Sequence, residues 1–571
     1  MTTDQREHTG LSLDYPVVGV GAILAGAARR YGERPALHYY GRELSFAQLY
    51  ERAGAFANAL REAGVGRGDV VAIHLPNCPQ YAIAYYGILM AGAAFSPTNP
   101  LLPPADLAAQ LADSGAVAAV SWGPAAPALA AVQDRTAIGL VLLTDREQAL
   151  DPAHRVDTSG VRGGIDFEAF HAGAATLAPA VEIDVVGDLA HLAYTGGTTG
   201  RSKGVQLPHR NVVVNALQYA CWGTGSTPAV DAEGGLRLEQ TSPADEYPVR
   251  LGTGVSINLT PWFHAMGTIG GLNVPMLTGS TTVLHDRFDP GAYLADAERL
   301  RVTGMSGAPP LYAALLRHPD FATRDLSSVR GLTSGAAPLP VEMIQALHRR
   351  FGADVVISEG YGLTEVTMGA TIGPAARSAV RKVGTVGLPV YDTEVRILDD
   401  AGNELPAGEP GEVCIRGPQV MTGYRNRPEE TAATLVDGWL HTGDVGVLDA
   451  DGYLSIVDRK KDMLLYKGYN VYPRELEELL FAQPGVTGAA VVGRPDPDVG
   501  ELPVAFVVAP SLDAGGAQKL LETINEQVLP YKRLREILLV DEIPVSAAGK
   551  VLKRELRERL TGRIGGTDPF G

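Results

Sequence analysis

Cysteine is scarce in this chain. Three thiols, Cys78, Cys221 and Cys414, are spread through 571 residues, with no CxxC pair. An odd number at wide spacing excludes a readable disulfide framework or zinc site. Buried free thiols in a reducing compartment are the expectation. Basic charge is also short: 48 Lys+Arg against 65 Asp+Glu leave a formal net charge of −17. That balance excludes a nucleic-acid partner, whose phosphates would be repelled. Any anionic substrate must therefore be gripped by local chemistry. Long apolar runs are missing as well. The uncharged stretch from Ala82 to Phe95 is only as long as a buried core helix. The N-terminal MTTDQREHTG is polar and lacks the apolar region of a signal peptide. These absences predict a cytoplasmic protein with no membrane span.

What is present is an ordinary globular composition, 45% hydrophobic and 20% charged, with 67 glycines that imply many tight turns. The length suits more than one domain. In LSFAQLYERAGAFANALREAGV, Leu49, Ala53, Phe56, Ala57 and Leu60 fall at helical spacing. Ser45 and Gln48 read as a capping box, and Gly64 ends the helix. DVVAIHL reads as a strand, and NCPQYAIAYYGILMAGAAFSPTNP as a helix followed by a strand and a turn. The alternation continues to about residue 390 through VVVNALQYA, STTVLH, VEMIQALHRRF and ADVVISEGYG. It predicts parallel α/β layering.

After residue 384 the strands shorten, and turns such as DDAGN and PAGEPGE separate them, which predicts an antiparallel, barrel-like portion. DRKKD at 458–462 is a charged cluster between two strand-like runs. Beyond it lie a helix RELEELLFA, strands AAVVG and VAFVV, a helix from about Gln518 to Leu529 and a basic helix LKRELRERL. The predicted fold class is α/β: a large N-terminal domain of two layered α/β subdomains with a small barrel-like β portion, and a small C-terminal α/β domain. The predicted division is 1–458, a hinge at 459–461, and 462–571. The polar stretch 223–252 is unusually long for a loop and reads as a functional segment or, more simply, as a loose surface insertion.

The strongest chemical signal is YTGGTTGRSKGVQLPH. It gathers Thr195, Gly196, Gly197, Thr198, Thr199, Gly200, Ser202 and Lys203. Glycines let successive N–H groups converge on an anion, hydroxyls add donors, and lysine adds a point charge. It is not a Walker A loop, because Gly200 is followed by Arg-Ser-Lys.

This segment resembles the phosphate-binding loop of the adenylate-forming superfamily, most closely that of fatty acyl-CoA synthetases. Further segments similar to that family's motifs follow in order: AGAAFSPTNP (91–100), TPWFHAMG (260–267), SGAAPLP (334–340), YGLTE (361–365), GWLHTGDVG (438–446), VDRKKDMLLYKGYNVYPRELEE (457–478) and PVSAAGKVLKREL (544–556). The resemblance implies ATP-dependent activation of a hydrophobic carboxylic acid to an acyl-adenylate, then thioester formation with coenzyme A. The alternative it leaves open is an enzyme that stops at acyl-AMP or passes the acyl group to a carrier-protein pantetheine.

The same resemblance distributes roles. Tyr361 offers an aromatic face for adenine, and Thr364 a hydroxyl for a phosphate oxygen. Glu365 is a hard oxygen ligand suited to Mg2+. Glu359, Gly360 and Gly362 complete that nucleotide loop. Gly335, Ala336 and Ala337 would wall the acyl and adenine pocket. Asp444 would accept the ribose hydroxyls, and Arg459 would reach the ribose or phosphate. Lys461 falls at the family's hinge, while Lys460 and Asp462 also fit a plain solvated charge run. Lys550 would neutralise charge as the carboxylate attacks the α-phosphorus. After rotation about the hinge, the loop with Lys467, Gly468 and Tyr469 would replace it beside a pantetheine tunnel. His264, between aromatics, reads unaided as a packed core residue; the resemblance sets it beside the substrate carboxylate. Gly267, Gly270 and Gly271 suggest a roomy apolar pocket for a long or bulky acid. A homodimer is what base rates supply.

Overall fold

The computed structural model of the chain describes residues 12–195, 202–247, 249–335, 339–352, 354–467, 469–545 and 551–564. Ser45 caps the helix Phe46–Glu62 with a complete capping box to Gln48, as its spacing predicts. The helix Pro79–Met90 is buried along its whole length. No helix among the described residues is long and apolar enough to cross a membrane. The three cysteines are free and buried.

Two large sheets carry the first four hundred residues. In the eight-stranded sheet, Val70–His74 lies at the centre, parallel to Ala94–Pro97 and Ala118–Trp122. On one flank the hairpin Leu189–Tyr194 and Gly204–Pro208 closes the order, followed by the short strand Gly423–Tyr424. In sequence, the glycine- and threonine-rich segment 195–203 lies between these two strands, with residues 196–201 outside the described part. The nine-stranded sheet runs parallel from Val356–Tyr361 through Gly331–Ser334, Gly304–Gly307, Val255–Asn258 and Thr281–Leu284 to Pro35–Tyr39. Strands buried on both faces by helices tolerate near-continuous apolar runs, and this is how they read in sequence.

The expected antiparallel portion is present. Glu394–Leu398, Gly411–Arg416, Trp439–Leu448 and Leu435–Val436 form one sheet, with Leu454–Arg459 paired on Trp439–Leu448. The C-terminal sheet orders Tyr469–Val471, Leu464–Tyr466, Gly500–Val508 and Gly488–Asp496, with Glu536–Leu539 parallel to Gly500–Val508. Its own apolar cluster, with Val471, Leu476, Val491, Ala505 and Ile524 buried, makes it a separate core.

Two readings need correction. The helix expected from Gln518 to Leu529 runs Ala514–Glu526 instead, because the Asp513 side chain caps it at Gly516. The stretch 223–252 is not loose. Ser226–Val230 and Leu236–Gln240 form a hairpin whose Leu236 and Leu238 are buried. Asp231 grips Arg29 at 2.7 Å, and Gly26 of the helix Gly21–Tyr31 lies against the Leu236 backbone so closely that no Cβ fits. Scattered Gly and Pro concealed the alternation of this hairpin.

Candidate active site

The motifs meet where strands of the nine-stranded sheet end. Gly335 follows Gly331–Ser334, and Thr364 and Glu365 follow the adjacent parallel strand Val356–Tyr361. His264 follows Val255–Asn258 in the same sheet and is the N-cap residue of Ala265–Thr268. Ligands of open α/β sheets bind in the crevice outside such carboxyl ends.

Tyr361 and Asp444 are joined directly. The Tyr361 hydroxyl donates to Asp444 Oδ2 at 2.6 Å, and Arg459 Nε lies 3.2 Å from Asp444 Oδ1. Asp444 and Arg459 face each other because their strands pair in that register. Burial first, and then the Asp444 carboxylate, push the Tyr361 phenol far above its ordinary pKa. It therefore stays a neutral donor. The Asp444 backbone N–H donates to Thr442 Oγ1 at 3.1 Å, fixing this point of the strand Trp439–Leu448.

The loop after Tyr361 is tightly bent. A Cβ on Gly362 would run into the Met368 carbonyl. Thr367, buried and β-branched, adopts φ +68°, a strained conformation that the surroundings must enforce. Its hydroxyl donates to the Gln419 carbonyl at 2.8 Å. Gly362→Ala is therefore expected to destabilise the protein by about 1–3 kcal/mol through overpacking. Thermal unfolding measures this, and an unshifted melting curve would show that the loop relaxes freely.

Glu365 projects from this bend. Its Oε1 accepts a hydrogen bond from Tyr424 Oη at 2.8 Å. Among the described residues no donor reaches Oε2. A partly exposed carboxylate with one oxygen available suits Mg2+, which takes one or two carboxylates and completes its shell with water and phosphate. Lys203 Nζ lies 4.7 Å over the Tyr424 ring and 2.7 Å from Glu430. The base of the hairpin turn is closed by Thr195, whose N–H donates to the Lys203 carbonyl at 3.0 Å and whose hydroxyl accepts from the Lys203 N–H. Glu359 accepts the Leu339 N–H at 2.8 Å, and burial raises its pKa despite that bond.

Other expected residues lie apart from this cluster. Lys467, at φ +51°, donates its N–H to Val499, and Tyr469 stacks on Tyr531 with ring centres 4.8 Å apart. Both sets of contacts are made to residues beside the C-terminal sheet, Val499 before the strand Gly500–Val508 and Tyr531 in the short turn Pro530–Lys532. Lys461 stands in the turn between the strands Leu454–Arg459 and Leu464–Tyr466. Partial burial first, and then Arg459, hold its ammonium below the ordinary value, against the pull of Asp462. Gly196, Gly197, Thr198, Thr199, Gly200, Ala336, Ala337, Gly468 and Lys550 lie outside the described residues.

The glycines expected to leave space in the acyl pocket divide. Gly267 packs against the Pro261 backbone, and a Cβ on Gly271 would stand 2.8 Å from Asn258 Oδ1. These two serve close packing. Gly270 faces Met368 Sδ, and Gly335 faces Met266, each at 3.2 Å from the position a Cβ would take. Two flexible thioethers thus pack against these glycines.

Sequence reading did not single out Tyr424, Glu430 or Glu412. Glu412 accepts bonds from the Gly443 N–H at 3.0 Å and Lys460 Nζ at 3.2 Å, so Lys460 is anchored rather than merely solvated. Their partners are distant in sequence, so no local pattern marks them.

Comparison with known proteins gives a consistent result. The family model described as AMP-binding enzyme matches residues 24–425, and that of the AMP-binding enzyme C-terminal domain matches 475–550. The chain is 34% identical over 567 residues to a long-chain-fatty-acid–CoA ligase of Bacillus subtilis (strain 168), covering 96% of each chain. It is 35% identical to a feruloyl-CoA synthase of an Amycolatopsis species, covering 95% of this chain and 99% of that one. Among solved structures, an anthranilate CoA ligase in complex with anthranoyl-AMP superposes with a TM-score of 0.83 at 26% identity, over 97% of this chain and 98% of that one.

Proposed function

The chain belongs to the AMP-binding enzyme family, and from that premise we propose that it is an acid–CoA ligase that activates a lipophilic carboxylic acid through an acyl-adenylate. The observation that carries the reading is the continuity of the site. Lys203, Tyr424 and Glu365 form one contact chain, and Tyr361, Asp444 and Arg459 another, both extending from the loop 361–365. Cationic and carboxylate groups suited to a triphosphate, and groups suited to a ribose, are thus both linked to the loop 361–365.

A carboxylate is a poor acyl donor because its oxygen leaves badly. In the first step its oxygen attacks the α-phosphorus of ATP, the bond to the β-phosphate oxygen breaks, and pyrophosphate departs. Two anions must approach, so positive charge has to be arranged in advance. Lys203 and the hairpin turn would hold the β- and γ-phosphates. Asp444, turned by Tyr361, would accept the ribose hydroxyls, and Arg459 would lie over them. Glu365 would hold Mg2+, which when bound neutralises phosphate charge. Lys550 would stabilise charge on the α-phosphate. In the second step a thiolate attacks the acyl carbon and AMP leaves, after rotation of the C-terminal domain about Lys461 brings Lys467, Gly468 and Tyr469 to the crevice.

The substrate is proposed from the thioethers. Met266 and Met368 pack against Gly335 and Gly270, the glycines read as lining the acyl pocket, and such side chains adapt to apolar ligands of varied shape. The relatives named above act on a long-chain fatty acid, on ferulate and on anthranilate, which supports an apolar or aryl acid over a small polar one. The test is acid-dependent ATP–pyrophosphate exchange across an acid panel, with products analysed in the presence of CoA or of a pantetheinylated carrier protein. Long-chain or aryl acids are expected to exceed acetate by orders of magnitude and to end as CoA thioesters. Preference for acetate would overturn the substrate class. Products that stop at acyl-AMP, or that form only on the carrier, would overturn the CoA assignment.

A further inference from the structure

Tyr424 sits on the short strand Gly423–Tyr424, paired antiparallel with Gly204–Pro208 so that Tyr424 faces Val205. The pairing is extended on both sides: the Arg425 N–H donates to the Gly204 carbonyl at 2.8 Å and the Thr422 N–H to the Gln206 carbonyl at 3.1 Å. This segment is therefore locked to the strand that leaves the phosphate-loop turn. It is equally locked to the other side of the crevice, because the Met421 N–H donates to the backbone carbonyl of Glu365 at 2.8 Å. Tyr424 itself is 6% exposed. Its hydroxyl donates to Glu365 Oε1, and its ring face receives Lys203 Nζ. Glu430 pairs with the same ammonium at 2.7 Å.

We propose that Tyr424 is a positioning residue that aims the Glu365 carboxylate at the metal and docks Lys203 of the phosphate loop on the same ring. The inference rests on the reading of Glu365 as the Mg2+ ligand. A hydroxyl bonded to Oε1 restricts the carboxylate's rotation and presents Oε2 to a cation. Loss of such an outer partner commonly lowers metal affinity about 10–100-fold. The ring contributes separately, because the cation–π contact needs only its face. Tyr424 thereby couples the metal site to the lysine of the loop through one side chain.

The experiment compares full-length wild type, Tyr424→Phe and Glu365→Gln. The spectroscopic probe is Mn2+ with a non-hydrolysable ATP analogue, its bound fraction read by electron paramagnetic resonance. The kinetic readout is the half-saturating Mg2+ concentration in ATP–pyrophosphate exchange. In Tyr424→Phe the Mn2+ dissociation constant and the half-saturating Mg2+ are each expected to rise about tenfold, while the KM for ATP at saturating Mg2+ stays near wild type. Tyr39→Phe removes a comparable tyrosine–carboxylate bond, 2.6 Å to Asp286 in the other flank of the molecule, and is expected to leave both quantities unchanged. Glu365→Gln is expected to lose more than Tyr424→Phe, and the double variant to lose no more than Glu365→Gln alone, since the two act as one unit. If Tyr424→Phe keeps wild-type metal affinity while Glu365→Gln loses it, or if the losses simply add, the positioning role is overturned and the ligand reading stands. If neither variant changes metal affinity, the Glu365 reading falls and the inference with it.

Discussion

Lys550→Ala is expected to lower acid-dependent ATP–pyrophosphate exchange by about a thousandfold, the scale on which removing one preorganised donor acts. Thioester formation from a supplied acyl-adenylate is expected to survive. The asymmetry follows from charge. Two anions meet only in the first step, and an ammonium is most valuable there. In the second step the phosphate is leaving as AMP, and a lysine in the crevice would obstruct the arriving thiol. Lys553, nearby in sequence, cannot replace it. Its ammonium is half-buried and paired with Glu477 at 2.8 Å. Burial alone would depress its pKa, but Glu477 and Asp458 outweigh that and raise it. Removing Lys553 would leave the half-buried Glu477 carboxylate held only by the Val491 N–H at 2.7 Å and destabilise the domain. Single-turnover assays of each half-reaction decide the matter. Equal losses in both would remove Lys550 from the adenylation step.

Lys461→Pro is expected to do the reverse: adenylation near wild type and CoA thioester formation lower by about a hundredfold, the scale of a misaligned reacting pair. The residues before it are fixed to the large domain. Arg459 pairs with Asp444, the Lys460 N–H donates to the Gly443 carbonyl at 2.9 Å, and Lys460 Nζ reaches Glu412 and Asp400. After it, the N–H groups of Asp462 and Met463 both return to the Arg459 carbonyl at 3.0 Å. A change of domain pose must therefore be absorbed within very few backbone torsions. Proline holds φ near −65° and restricts the residue before it. Exchange and thioester assays on one preparation give the ratio, and CoA turnover at the wild-type rate would move the pivot elsewhere.

The legibility of the chain follows the range of its interactions. The capping box of Ser45 and Gln48 was readable because both partners lie within one turn. The pocket glycines were misread in part. A glycine reports only that a Cβ is unwelcome, and at Gly267 and Gly271 what stands there is the chain's own Pro261 and Asn258. The hairpin at 226–240 was obscured because its apolar contacts lie on the distant helix Gly21–Tyr31. Arg474 shows the same limit. In sequence it is one charge in a helical run, yet its N–H donates to Asp458 at 3.1 Å and its guanidinium to the Ile456 carbonyl, tying the helix Pro473–Phe481 to the strand Leu454–Arg459.

The amino-acid order by itself determined the α/β alternation, the change to antiparallel strands after residue 384, and the roster of glycine, threonine, carboxylate and lysine motifs. Those depend on periodicity and on residue types within a few positions. Only the tertiary structure decided that Lys203 rests on Tyr424, that Tyr424 steadies Glu365 from 59 residues away, and that Tyr361 turns Asp444 from 83 residues away. Such pairs arise from sheet order and strand register. Register is set by burial summed over whole strands, so neither partner carries a local mark of the other.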